Sequence, residues 1–198
     1  MILKSYLIER DITLLKKYYA TVIYGENIGL KDDIKNEIKE FYKDYEKISI
    51  NQEEILKNYK ILSEQIDNSS LFSKKKIIFI NDASDKIKNS LLEILENKKT
   101  DIKIFIFSHN LDKKSPIRKI SEKDKEIGVI PCYQDNERTL SDYVRKKLEG
   151  YLGLNQQVIN YLITNSGLDR KILFHEINKI KSLFSEKKIQ IDKLPELL

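Results

Sequence analysis

Apolar residues fall along the chain in two rhythms. Residues 20–24, 77–80, 102–107 and 128–132 are short, nearly continuous apolar runs, the composition of strands buried on both faces. Ile48-Ser49-Ile50 alternates as a further short strand. Between these runs the spacing becomes helical. The opening segment carries a helical run in Leu14, Leu15 and Tyr18, and residues 25–29 form a turn after the first strand. Ile34, Ile38, Phe41 and Tyr45 share one face of a helix over 31–45. Ile55, Tyr59, Leu62 and Ile66 recur at i, i+4, i+7 and i+11, a single buried stripe on a helix opened by Asn51 as cap, with Glu53 and Glu54 in its first turn. Ile87, Leu91, Ile94 and Leu95 mark the next helix, and a weaker one over 111–123 is broken by Pro116. Five strands alternating with helices predict an α/β fold with a parallel sheet.

From Thr139 the rhythm changes. Thr139-Leu140-Ser141-Asp142 opens a helix to about Leu152, Leu154-Asn155 a second to about Ser166, and Leu168-Asp169 a third to about Phe184, with no strand between them. A domain boundary is therefore expected near residues 134–139, separating an α/β domain over 1–137 from a three-helix domain over 138–198. Residues 189–198 read as the start of a segment the chain does not complete.

One junction breaks the pattern. If the helix ending at Ile66 continued at about 100° per residue, Leu71 would lie roughly 140° and Phe72 roughly 240° away from the stripe. The stripe would instead meet Ser69, Ser70 and Ser73, and Lys74, Lys75 and Lys76 follow. Two readings fit the pair: a satellite apolar cluster folded under the loop, or an exposed docking peptide. Each side chain entering a partner's pocket would contribute about 1.5–3 kcal/mol.

Charged residues make up 34% of the 198 and apolar residues 40%, a soluble globular composition. Thirty-six basic residues against 31 acidic ones leave a formal charge of +5, which permits work near nucleic acid without requiring it. A single cysteine, Cys132, excludes an internal disulfide framework and fits a reducing compartment, where it reads as a small buried apolar residue. No apolar run reaches the roughly 20 residues of a membrane span, so a cytoplasmic protein without membrane partners is expected.

The turn after the first strand stands where a phosphate-binding loop would be. Counted from Gly25 on the G-x-x-x-x-G-K-[ST] template, the second glycine falls on Leu30, the lysine on Lys31 and the magnesium-binding hydroxyl on Asp32. The lysine survives; Leu30 brings a side chain to where backbone N–H groups should close on phosphate, and Asp32 adds negative charge. Gly29 is one residue too early to restore the motif. Asp82, after the strand over 77–80, is the lone counterpart of the acidic pair that holds metal in nucleotide hydrolases, and reads more simply as a cap or turn residue. Gly25, Lys31, Asp32 and Asp82 thus compose a degenerate nucleotide site. His109 sits at the sheet edge without a ligand partner, and His175 lies beside Glu176 on the third helix of the second domain. No catalytic constellation, metal site or cofactor is indicated.

Taken together, Tyr24-Gly25-Glu26, Ser70-Leu71-Phe72-Ser73 followed by Lys76-Ile77-Ile78-Phe79, Leu140-Ser141-Asp142-Tyr143-Val144, Gly167-Leu168-Asp169 and Glu176-Ile177-Asn178-Lys179-Ile180 resemble the delta subunits of bacterial DNA polymerase III clamp loaders over most of the chain. The resemblance implies an AAA+ P-loop NTPase-like domain that has lost ATPase function, followed by a helical lid. It implies clamp binding by Ser70, Leu71 and Phe72, a wedge that docks on the beta sliding clamp and favours ring opening. It implies no catalysis by this chain within a DNA-directed DNA polymerase complex, a nucleotidyltransferase. The implied partners are the clamp, the other loader subunits of gamma/tau and delta-prime type, and primer-template DNA in the assembled loader. Lys74, Lys75 and Lys76 would steer toward an acidic rim or simply form a solvated turn. The family's third, collar domain has no counterpart before Leu198. Two other readings stay open: an active P-loop ATPase or nucleotide switch, and a general DNA-binding module with strongly salt-dependent affinity.

Overall fold

The computed structural model describes residues 1–67 and 75–194. Contacts divide it into two compact units, one of residues 1–26 and 30–133, the other of 27–29 and 134–198.

In the first unit a short helix α1 (Ser5–Arg10) and a 3-10 turn (Ile12–Lys17) precede β1 (Ala20–Tyr24) and α2 (Ile28–Phe41). There follow β2 (Glu46–Asn51), α3 (Gln52–Lys57), α4 (Ile61–Asp67), β3 (Lys76–Ala83), α5 (Lys88–Glu96), β4 (Ile102–Ser108), α6 (Pro116–Lys123) and β5 (Ile127–Pro131). The five strands form one parallel sheet in the order β2-β3-β4-β1-β5. This is the α/β architecture with a parallel sheet that the alternation of strands and helices implied.

The continuous apolar runs are explained by burial on both faces. Val22, Ile78, Ile80, Ile104, Ile106 and Val129 point into a core closed by Ile55, Leu62, Ile66, Leu91, Ile94 and Ile117. Their sequence neighbours Ile23, Ile77, Phe79, Phe105 and Ile130 point the other way, against Ile8, Leu15, Leu30, Ile34 and Ile38. The period of two in a strand assigns each residue to a face, and parallel register places Val22 opposite both Ile106 and Val129.

Several local expectations are corrected. The single helix carrying Ile55 to Ile66 is two helices. Asn58 ends α3 in an extended conformation, its side-chain oxygen accepts from the Lys60 N–H at 3.1 Å, and Tyr59 is 61% exposed rather than part of the stripe. The expected cap does form at the start of α3, where Glu54 accepts from the Asn51 N–H at 2.9 Å. Helix α2 begins at Ile28, inside the expected turn. Pro116 does not break a helix; it starts α6, where its missing N–H costs nothing, and Ser115 caps the turn. Lys76 is not a surface steering charge but the buried first residue of β3, with its ammonium 3.9 Å from Glu46.

The second unit packs α7 (Glu137–Lys147), α8 (Gln156–Asn165) and α9 (Arg170–Leu183) around Leu140, Val144, Val158, Leu162, Leu173 and Ile177. Asn136, Asn155 and Asp169 cap the three helices by accepting backbone N–H bonds. Gly167 and Leu168, at φ 58° and 65°, make the left-handed turn from α8 to α9.

Candidate functional site

The segment joining β1 to α2 has the position of a phosphate-binding loop, but its groups are committed elsewhere. Gly25 has φ 131°, and a Cβ there would lie 2.2 Å from the Cys132 carbonyl oxygen. The glycine is thus required by close approach of the β5 end, where the Cys132 N–H donates to Tyr24 at 2.7 Å. The Gly25 N–H itself donates to the His109 carbonyl at 3.1 Å. Leu30 is buried among Ile34 and Ile38 in the core under α2. Lys31 is buried too, and its ammonium donates to the Ser108 carbonyl at 2.9 Å. Turning that cation toward a phosphate would first break a charge-assisted bond worth about 1.5–3 kcal/mol.

Around this point the remaining polar groups form a loose rim. Asp32 is exposed on α2. Asp82 is neither a cap nor a plain turn residue: it lies near the end of β3 at φ 53°, beside a register shift against β4. Its carboxylate is 3.8 Å from His109 Nε2, with both side chains largely exposed. Lys35 reaches across to Asn81 Oδ1 at 2.6 Å and lies over the Phe107 and Phe79 rings. Burial, and secondarily the charge of Lys39, holds its ammonium below the usual lysine range, against the opposing pull of Asp32 and Asp82. No group of three or more His, Cys, Asp or Glu able to hold a metal occurs among the described residues.

A second polar cluster lies within the helical unit. Asp135 Oδ2 accepts from Asn27 Nδ2 at 2.6 Å and from Arg170 Nε at 3.0 Å, while its other oxygen accepts from Thr139 Oγ1 at 2.8 Å. The Arg170 and Asp135 side chains are only 3% and 5% exposed. The guanidinium also stacks 4.4 Å from the Tyr143 ring centroid. Asn27 of the degenerate loop is thereby tied into this unit by a hydrogen bond to Asp135. No local pattern in the sequence marks this cluster: Asp135 lies in the expected boundary stretch, and Arg170 directly follows Gly167-Leu168-Asp169.

A model of the family described as DNA polymerase III, delta subunit matches residues 22–131, from within β1 to the end of β5 and more than half of the chain. The chain belongs to the DNA polymerase III delta subunit family. It is 23% identical over 116 residues to a probable DNA polymerase III subunit delta of Rickettsia prowazekii (strain Madrid E), a match covering 58% of this chain and 36% of that one. Its fold is similar to that of the Bacillus subtilis DNA clamp loader delta protein (YqeN), with a TM-score of 0.65 at 12% identity over 98% of this chain and 62% of the other. The chain thus spans about a third of that curated relative and under two thirds of that solved structure.

In this delta-family chain the expected site residues separate. Gly25 and Lys31 meet at the ends of β1 and β4 through His109 and Ser108, while Asp32 and Asp82 stay on the exposed rim. Ser70, Leu71 and Phe72 lie outside the described residues, between Asp67 at the end of α4 and Lys75 before β3. His175 is exposed on α9, its ring edge-on to Phe174, and Cys132 is buried.

Proposed function

We propose that this delta-family chain is the part of a clamp loader that docks on the ring-shaped beta sliding clamp and favours its opening during DNA replication, without hydrolysing ATP. The clamp-binding residues are Ser70, Leu71 and Phe72, with Leu71 and Phe72 as the wedge, in the stretch of sequence between α4 and β3. The family match carries the reading. The commitment of Lys31 to the Ser108 carbonyl supports the absence of nucleotide work, since the template lysine that survives is occupied by protein. Ring opening then requires no chemistry. The chain need only bind the open form of the clamp better than the closed form, and each tenfold difference in affinity shifts the ring's equilibrium by about 1.4 kcal/mol. In the cell it works in the cytoplasm beside gamma/tau and delta-prime type subunits and primer-template DNA.

The test is titration calorimetry of the chain against its own clamp, beside a Leu71→Ala/Phe72→Ala variant of unchanged thermal stability. Binding by the wild type that weakens at least 100-fold in the variant supports the wedge, whereas equal binding by both refutes it. ATP titrated into the wild type under the same conditions should give no saturable heat, and micromolar affinity would overturn the non-nucleotide half of the proposal.

A further inference from the structure

At the N-terminal ends of β2, β3, β4 and β1 the sheet carries a concentration of lysines on the α2 side. Lys103 of β4 donates to the carbonyls of Lys16 and Tyr18 at 2.7 and 2.6 Å, which brings the end of the 3-10 turn against the sheet. Lys16 lies 5.0 Å over the Phe41 ring. Phe41 and Tyr45 each pack edge-on against Tyr42 at 4.8 Å, and Lys75 lies 5.9 Å over Tyr45. Lys47 closes the patch by donating to the carbonyls of Lys43 and Tyr45 at 2.8 and 3.3 Å, and Lys17 lies 4.9 Å over Tyr18. A row of aromatic rings and backbone carbonyls thus holds a set of exposed ammonium groups in place.

Three features of this patch point to a ligand. Lys16, Lys17, Lys43, Lys47 and Lys75 are exposed, and none is paired with a carboxylate among the described residues. The ammonium groups of Lys16, Lys17, Lys47 and Lys75 rest on rings or carbonyls, so part of the ordering that docking requires has already occurred. Asp44 and Glu46 lie among them in sequence. These carboxylates would oppose a uniformly negative phosphate backbone, and no arginine supplies bidentate phosphate recognition. A protein face that is predominantly acidic but mixed in sign suits the pattern better. Lys75 is also the first described residue after the Ser70-Leu71-Phe72 segment, so the patch is continuous along the chain with the proposed wedge.

We infer that this lysine patch is a docking surface for an acidic face of the sliding clamp, supplying the electrostatic part of a contact whose apolar part is the wedge. The inference rests on the clamp-docking reading above. Desolvated apolar anchors mainly set the lifetime of a complex, while charges at its rim set the encounter rate and its salt dependence. The two contributions are therefore separable.

With the Leu71→Ala/Phe72→Ala wedge variant run alongside, the experiment compares association kinetics with the clamp over a range of salt concentrations for three proteins. These are the wild type, a patch variant (Lys16→Gln, Lys43→Gln, Lys47→Gln, Lys75→Gln) and a control variant losing the same charge at the opposite ends of the strands (Lys86→Gln, Lys88→Gln, Lys113→Gln, Lys114→Gln). Thermal melting confirms that each is folded, and glutamine keeps most of the stem that lies on the rings. The patch variant is expected to associate about 10-fold more slowly or worse at low salt, with a flattened salt dependence and a nearly unchanged dissociation rate, while the control stays within about 2-fold of the wild type. Equal association by all three, with the wedge variant still defective, overturns the patch and leaves the wedge standing. Equal slowing by patch and control variants reduces the effect to net charge and also overturns it. If the patch variant keeps clamp binding but loses affinity for a fluorescent DNA duplex, the surface belongs to nucleic acid instead. Failure of the folded wild type to bind the clamp removes both readings together.

Discussion

Replacing Asp135 by alanine tests the internal tie of the helical unit most directly. The carboxylate is 5% exposed and accepts three side-chain hydrogen bonds, from Asn27, Arg170 and Thr139. Its removal leaves the Arg170 guanidinium, 3% exposed, without this carboxylate. Breaking a buried ion pair from one side costs about 3–5 kcal/mol, because a desolvated cation loses a charge partner it was folded against. Tyr143 recovers part of this, since its ring face still meets the cation at 4.4 Å and such contacts are worth about 0.5–2 kcal/mol. The net expectation for Asp135→Ala is about 1–4.5 kcal/mol of lost stability. At about 4–8 °C per kcal/mol for a unit of this size, the melting transition of the helical unit should fall by at least about 4 °C. Urea unfolding of wild type, Asp135→Ala, Arg170→Met and the double variant, followed by circular dichroism, gives the coupling energy directly. The double variant should lose at least about 1 kcal/mol less than the sum of the two single losses. Additive losses, or an Asp135→Ala cost below about 0.5 kcal/mol, would show that the pair does not hold the unit together as argued.

Two further perturbations follow from the first unit. Tyr42 is buried, its hydroxyl has no hydrogen-bond partner among the described residues, and burial pushes its pKa up to about 12 from an ordinary 10. A raised folded-state pKa means stability that is complete below pH 10 and lost as pH rises toward 12, so Tyr42→Phe should flatten the fall in stability across that window. At neutral pH the variant should match or exceed the wild type by up to about 1 kcal/mol, and a loss above about 1 kcal/mol in urea unfolding would contradict an unpaired hydroxyl. Gly25→Ala combines a φ of 131° with a Cβ that would sit 2.2 Å from the Cys132 carbonyl, so a cost of about 1–3 kcal/mol or more in urea unfolding is expected, and a neutral result would exclude the close approach.

What was legible in the sequence followed from short-range periodicity. The strand positions, and the helical faces at Ile34, Ile38, Leu91 and Ile94, were readable because a residue buried on a strand or helix leaves a repeat within a few positions. The cap at Asn51 and the helix starts at Asn155 and Asp169 were readable for the same local reason. So was the decay of the phosphate loop at Leu30 and Asp32, since that motif is itself a fixed spacing. The α3–α4 break and the start of α6 at Pro116 misled because local hydrogen bonding at Asn58 and Ser115 overrode an otherwise continuous pattern.

By itself the sequence determined the strand positions, most of the helical faces and the mismatch of Leu30 and Asp32 to the phosphate-loop template around Lys31. Tertiary structure alone decided the strand order β2-β3-β4-β1-β5, the capture of Lys31 by Ser108 and the joining of Asn27, Asp135 and Arg170. It also gathered lysines from residues 16 to 103 onto one end of the sheet. The physical reason is separation along the chain. Each of these contacts joins groups tens of residues apart, whose pairing leaves no repeat in the sequence and exists only once parallel register and helix packing have brought them within hydrogen-bond reach.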